Sequence, residues 1–262
     1  MSVNDLSKMG TAKVTLNVTN FGHTIIDKCP VEEVEFSFYQ YAAARLNQAG
    51  IDTPKLLSSD VILRKLRLEY IPQKVEQTDI ANDDVMAMLG RLHCFPANSE
   101  WCYHPHRWSE LALERALTLL GLPDCSAQQF RLLQKYSDVL FDYQSLISGD
   151  TNAGNWGRRE NGELVLFDWE RFGKGSPAID LAPLIKGMGT KQMFVDIAKR
   201  YCQLSFRHDV RQLGREIALA KAWIVTEVIV LLEERNKKEF PLYLNWYREQ
   251  LPDWLDNVVT ML

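Results

Sequence analysis

A chain of 262 residues with 46% hydrophobic composition is long enough to bury a substantial core, in one large domain or two lobes, and is not a disordered polymer. Its formal charge of −4 supplies no overall basic field, so nucleic acid and anionic membrane are poor partners and a small or cationic one fits better. Cysteines at 29, 94, 102, 125 and 202 are odd in number and include no C-x-x-C pair, which argues against a disulfide framework or a zinc ribbon and for a reducing compartment. With no apolar run of signal-peptide or membrane-spanning length, the expected location is cytoplasmic.

In chain order, "KVTLNVT" alternates, "NFGH" is a turn and "TIIDK" is a second β-rich run, which predicts a hairpin between Ala12 and Pro30. "VEEVEFSFYQYAAARLNQAG" predicts a helix ended by Gly50, and "LRLEYIP" a strand closed by Pro72. Helical patterns follow over Asp79–His93, Trp108–Leu120 and Ala127–Leu146, and later over Met193–Leu204, Val210–Arg235 and Tyr243–Val259. A β-rich lobe over 1–75 and a larger helical lobe over 76–262 are therefore expected, joined by the polar segment "IPQKVEQTD". The fold class is α+β.

One stretch interrupts the helices. In "GDTNAGNWGRRENGELVLFDWE" the dipeptide Asn161-Gly162 is a strong hairpin signal, because a type I′ turn needs positive φ at both central positions. Taken as the two turn residues, they set Glu160 against Glu163 and Asn155 against Asp168. Directly opposed side chains share a face roughly 5 Å apart at Cβ. An amide oxygen and a carboxylate oxygen converging there suit Mg²⁺, which takes few protein oxygens and keeps others for phosphate. Asp150, just before the hairpin, is placed to face the ion or to accept a proton, and Glu170 is either a helper or a surface acid.

On the predicted first helix Val31, Glu35, Phe38, Ala42, Leu46 and Ala49 form one stripe. Glu35 is thus an acid among apolar groups and needs a cation; Glu32 is the second choice. Lys28, at the end of "TIIDK", is the candidate cation. Elsewhere "HPH" at 104–106 reads as a surface loop rather than a metal pair. Trp223, Glu227, Glu233, Glu234, Trp246, Tyr247 and Trp254 read as core tryptophans with a charged outer face.

The 149–182 block resembles the aminoglycoside phosphotransferase and choline kinase-like family, a branch of the two-lobed protein-kinase-like fold. Its pattern is His-Gly-Asp-x-x-x-x-Asn, a hairpin, an Asp after apolar residues, and Pro-x-x-Asp-Leu-Ala; the matches are Gly149, Asp150, Asn155, Asp168 and "PAIDLA". "GIDTPKLL", "RLEYIP" and "MLGRLH" match more weakly in the right order. The resemblance implies direct phosphoryl transfer from ATP to a hydroxyl of a small molecule, amine-bearing alcohols included. Asp150 would then be the catalytic base, Asn155 and Asp168 the Mg²⁺ ligands, and Lys28, Glu35, Glu69 and Ile71 the nucleotide-binding residues, the last two at the hinge. Asp180 would support the catalytic loop without touching substrate, and the C-terminal helices would build the acceptor pocket. Ser148 stands where the family has His, Asn152 where it often has His, and "KMGTAKV" offers one glycine where a glycine-rich loop is usual. The helix stretch is also similar to HipA-like protein serine/threonine kinases, which gives the alternative function, beside a non-catalytic binding module that kept the fold.

Overall fold

Period-two alternation builds the N-terminal sheet. β1 (Lys13–Val18) and β2 (Thr24–Cys29) pair antiparallel with Val14 opposite Lys28. The computed structural model describes residues 12–19, 21–205 and 208–262, so Gly10 of "KMGTAKV" lies outside the described residues. Then come α1 (Glu33–Ser37), a π-helical turn (Phe38–Ala42) and α2 (Ala43–Gln48), which together occupy the expected helix. The wider π turn rotates the buried face, so that Phe38, Tyr39, Ala42, Ala43 and Leu46 are all buried. β3 (Leu56–Asp60) and β4 (Lys65–Glu69) complete a sheet ordered β1-β2-β4-β3. β3 has no counterpart in the sequence pattern, because residues 57–60 are exposed and mark no apolar face.

β5 (Gln73–Lys74), in the expected hinge, pairs with β7 (Trp156–Arg158), which pairs with β8 (Leu164–Leu166). α3 (Asp83–Cys94) and the small pair β6 (Leu146–Ile147) and β9 (Gly173–Lys174) accompany them. These segments form one compact unit, Met1–Pro105 with Ser145–Lys174. An aromatic core binds it: Phe38 stacks on Trp169 at 4.2 Å and Phe172 meets both rings at steeper angles. Trp169 and Phe172 are fully buried, each adding roughly 2–3 kcal/mol of hydrophobic stabilisation.

The second compact unit, His106–Gln144 with Gly175–Leu262, is helical. It holds α4 (Glu110–Leu120), α5 (Asp124–Lys135), α6 (Ala178–Leu181), α7 (Lys191–Leu204), α8 (Val210–Glu234) and α9 (Phe240–Val258). Side-chain caps set the starts: Ser109 accepts from Ala112 N, Thr190 from Met193 N, and Asp209 from Arg211 N and Gln212 N. α8 is buried on most of its circumference and packs on α4, α6, α7 and α9. The helix expected to run to Leu146 stops at Lys135. Ser137 Oγ there turns back onto Gln134 O at 2.7 Å, and a 3₁₀ turn over Ser137–Leu140 follows. This grouping puts the hairpin and α3 with the N-terminal sheet. Among the described residues no helix is long and apolar enough to cross a membrane, and the cysteines form no disulfide.

Candidate active site

The hairpin register differs from the expected one. Arg158 pairs with Leu164, and Arg159 N donates to Glu163 O at 2.9 Å, which leaves Glu160, Asn161 and Gly162 as a three-residue loop. Gly162 takes φ +87°, the left-handed position that closes such a loop with a bulge. The two-residue reversal is therefore corrected by one residue: Asn155 lies opposite Phe167, whose N–H donates to Asn155 O at 3.0 Å, and not opposite Asp168. Asp168 has left the ladder with φ +65°, a left-handed conformation that Asp tolerates better than most residues. Backbone kinking, and not cross-strand pairing, brings this carboxylate toward the loop that holds Asp150.

Lys28 is the hub. Its ammonium lies 2.8 Å from Glu35 Oε1, 2.7 Å from Glu35 Oε2 and 2.7 Å from Asp168 Oδ1. Of the three glutamates that open the helix, Glu35 is 1% exposed, while Glu32 and Glu33 are solvated. Burial works against the Lys28 charge, but the two acids more than offset it and hold the ammonium protonated well above the ordinary lysine range. Burial likewise pushes the Glu35 carboxyl up, with Lys28 opposing and Asp168 and Glu170 adding repulsion. Both Glu35 oxygens on one ammonium make the ion pair the state to reason from.

The Asp150 loop is built by short-range hydrogen bonds. Asn152 donates Nδ2 to Asp150 Oδ1 at 2.6 Å and accepts from Gly154 N at 2.8 Å, so one side chain fixes both the carboxylate and the turn. Asn155 Nδ2 donates to Asp150 O at 3.0 Å, and Trp156 Nε1 to Thr151 O at 2.9 Å. Burial, then the charge of Asp168, raises the Asp150 carboxyl, while Arg171 and Asn152 pull it down. A carboxylate whose proton affinity is raised in this way is suited to take a proton from a hydroxyl. Asn152 was visible in the sequence only as a departure from the family pattern, yet it orients Asp150.

The hinge residues have separate settings. The Glu69 carboxylate is committed to Arg159, with Nε at 2.8 Å from Oε1 and Nη2 at 3.0 Å from Oε2, and accepts from Lys55 N at 3.0 Å. Arg159 also reaches Asp52 and Thr53 O, which ties the hairpin to the sheet. Ile71 packs over Gly157, where a Cβ would stand 2.7 Å from Ile71 Cγ2, so that close approach needs glycine. Arg159 had no marker in the sequence, since a charged residue beside a turn reads as solvated.

Of the remaining candidates, Asp180 is fully buried in the first turn of α6. The histidines of "HPH" do not sit on a surface loop: His106 is buried edge-on to Trp223, and burial drives the half-buried His104 down to about 4. Trp223, Tyr247 and Trp254 are core residues, and Glu233 and Glu234 pair with Arg115.

Among the described residues no group of three or more His, Cys, Asp or Glu could hold a metal ion. The donors at hand are instead the Asn155 amide oxygen, left over when Nδ2 bonds Asp150 O, and the partly exposed Asp168 carboxylate. Two hard oxygens of this kind fit magnesium, and a buried, acid-fixed ammonium fits a polyphosphate.

A sheet-borne lysine fixed by a helix glutamate, with an aspartate-bearing loop and a second aspartate after a hairpin, defines a phosphotransferase of the protein-kinase-like fold. The chain belongs to the phosphotransferase enzyme family (APH), whose family model matches residues 14–213. Solved structures with the same fold include LicA in complex with AMP (18% identity, TM-score 0.67, covering 100% of this chain and 92% of that one). An ethanolamine kinase from Plasmodium vivax gives 13% identity and a TM-score of 0.66, over 98% and 84% of the two chains. The macrolide 2'-phosphotransferase MphH from Brachybacterium faecium gives 11% and 0.64, over 96% and 92%. A search of curated proteins finds no match. The chain is a phosphotransferase of this family.

Proposed function

We propose that this protein moves the γ-phosphoryl group of ATP directly onto a hydroxyl of a small, amine-bearing or sugar-like molecule in a magnesium-dependent reaction. The observation that carries this reading is the Lys28 ammonium held between Glu35 and Asp168, with Asp150 beside Asp168. Bound Mg-ATP supplies the transferable phosphoryl group and neutralises charge on its oxygens. Asn155 and Asp168 would hold the metal, and Lys28, kept in place by Glu35, would bind the phosphates. Asp150, aimed by Asn152, would accept the proton of the attacking hydroxyl at its carboxylate. Glu69 and Ile71 would line the base side through their backbone, because the Glu69 carboxylate is taken by Arg159. The lobe over 1–75 would serve the nucleotide and that over 76–262 the acceptor.

An amine-bearing acceptor is favoured by the likeness in fold to an ethanolamine kinase. The test is radiolabel transfer from γ-³²P-ATP to a pool of amino-alcohols, sugars and antibiotics, run beside a protein lysate. Label on a small molecule supports the reading. Label on protein alone would replace it with the HipA-like one, and no Mg-dependent ATP binding at all would leave a non-catalytic module.

A further inference from the structure

The hairpin that joins β3 to β4 carries apolar side chains into solvent. Val61, Ile62 and Leu63 at its tip are 73%, 94% and 58% exposed, and Leu57 on β3 is 52% exposed. Single exposed apolar residues need no explanation, but four on one hairpin amount to a patch. The tip is held in shape: Leu63 N donates to Asp60 Oδ1 at 2.9 Å, and Arg64 O accepts from Val31 N at 2.9 Å. β3 is also an edge strand, paired with β4 alone among the described residues. Such edges are ordinarily guarded by lysine or proline, and "LLSSD" has neither. Its irregularity, between Leu56 and Ser58, falls at the start, and Ser58, Ser59 and Asp60 stay in regular register with β4.

We propose that β3 is the surface through which two copies of this chain associate, antiparallel and edge to edge about a two-fold axis. A lipid surface would cover Val61, Ile62 and Leu63 but would not pair the outer backbone groups of β3, whereas a second strand does both. An axis through Ser59 sets Leu57 against the partner's Val61 and Asp60 against the partner's Ser58. Apolar then meets apolar, and no carboxylate directly faces its own copy. The four apolar side chains and the strand beside them bury roughly 600 Å² on each copy, enough for a weak but specific dimer.

The experiment is sedimentation equilibrium of the full chain from about 1 to 100 µM, where wild type should form dimers. Ser59 is exposed, so Ser59→Lys and Ser59→Glu should keep the wild-type Tm. Each variant alone sets like charges on the axis and should raise the dimer Kd at least about ten-fold. An equimolar mixture of the two sets Lys against Glu and should recover the wild-type Kd to within about three-fold. Ile62→Glu should weaken association about as much as either. Wild type that stays monomeric throughout, dimers indifferent to all three substitutions, or a mixture as weak as its components overturns the inference. So does a monomer that sediments with phosphatidylcholine vesicles and loses them in Ile62→Glu, because the patch would then serve a membrane.

Discussion

Lys28 Nζ and Asp168 Oδ1 stand 2.7 Å apart, so the residue proposed to bind metal is engaged by the residue proposed to bind phosphate. Nucleotide and metal must compete for that contact together. Asp168→Ala should therefore abolish the Mg-dependent part of ATP stabilisation, and EDTA should do the same to wild type. Asp150→Ala should still bind Mg-ATP and lose turnover by roughly a thousand-fold. Thermal shift read alongside radiolabel transfer separates the two, and equal, undiminished turnover in both variants would sink the assignment.

Asn152 holds Asp150 by a 2.6 Å bond and has no part in the proposed metal set. Asn152→Ala should lower kcat about ten-fold through loss of aim, with the nucleotide KM changed little. Steady-state kinetics with varied ATP read this directly. A raised KM with intact kcat would instead place Asn152 on the nucleotide side.

Arg159 makes a two-point contact with Glu69 from a side chain that is 13% exposed. Removing it strands a partly buried acid, so Arg159→Met should destabilise the first unit by about 3 kcal/mol. Glu69→Gln should cost less, and the double variant less than the sum of the two. Urea unfolding measures all three, and strict additivity would show that the pair does not act as one.

Lys221 is buried in α8 with one carbonyl partner, Ile185 O at 2.8 Å, and burial brings its ammonium down to about 8. The unfolded chain, near 10.5, then binds more protons between those values, so this group makes stability rise with pH across that window. Relative to Lys221→Met, wild type should gain about 3 kcal/mol between pH 7.5 and 10.5. Parallel stability–pH curves for the two proteins would falsify the assignment.

The sequence by itself determined most of the helices and the first β-hairpin, that the chain reverses in a hairpin near Asn161-Gly162, and that Glu35 is the buried acid of its helix. Each of these follows from periodicity or turn chemistry, which a single chain displays locally. The tertiary structure decided the rest. It set the hairpin register, where one extra loop residue moved Asn155 opposite Phe167 and left Asp168 to a kinked backbone. It gave Arg159 its partner, formed β3 without an apolar face, and set Lys28 against Asp168 across 140 positions of chain. Periodicity reports which side of an element is buried, but not what that side meets, because partners are fixed by packing between segments far apart in sequence.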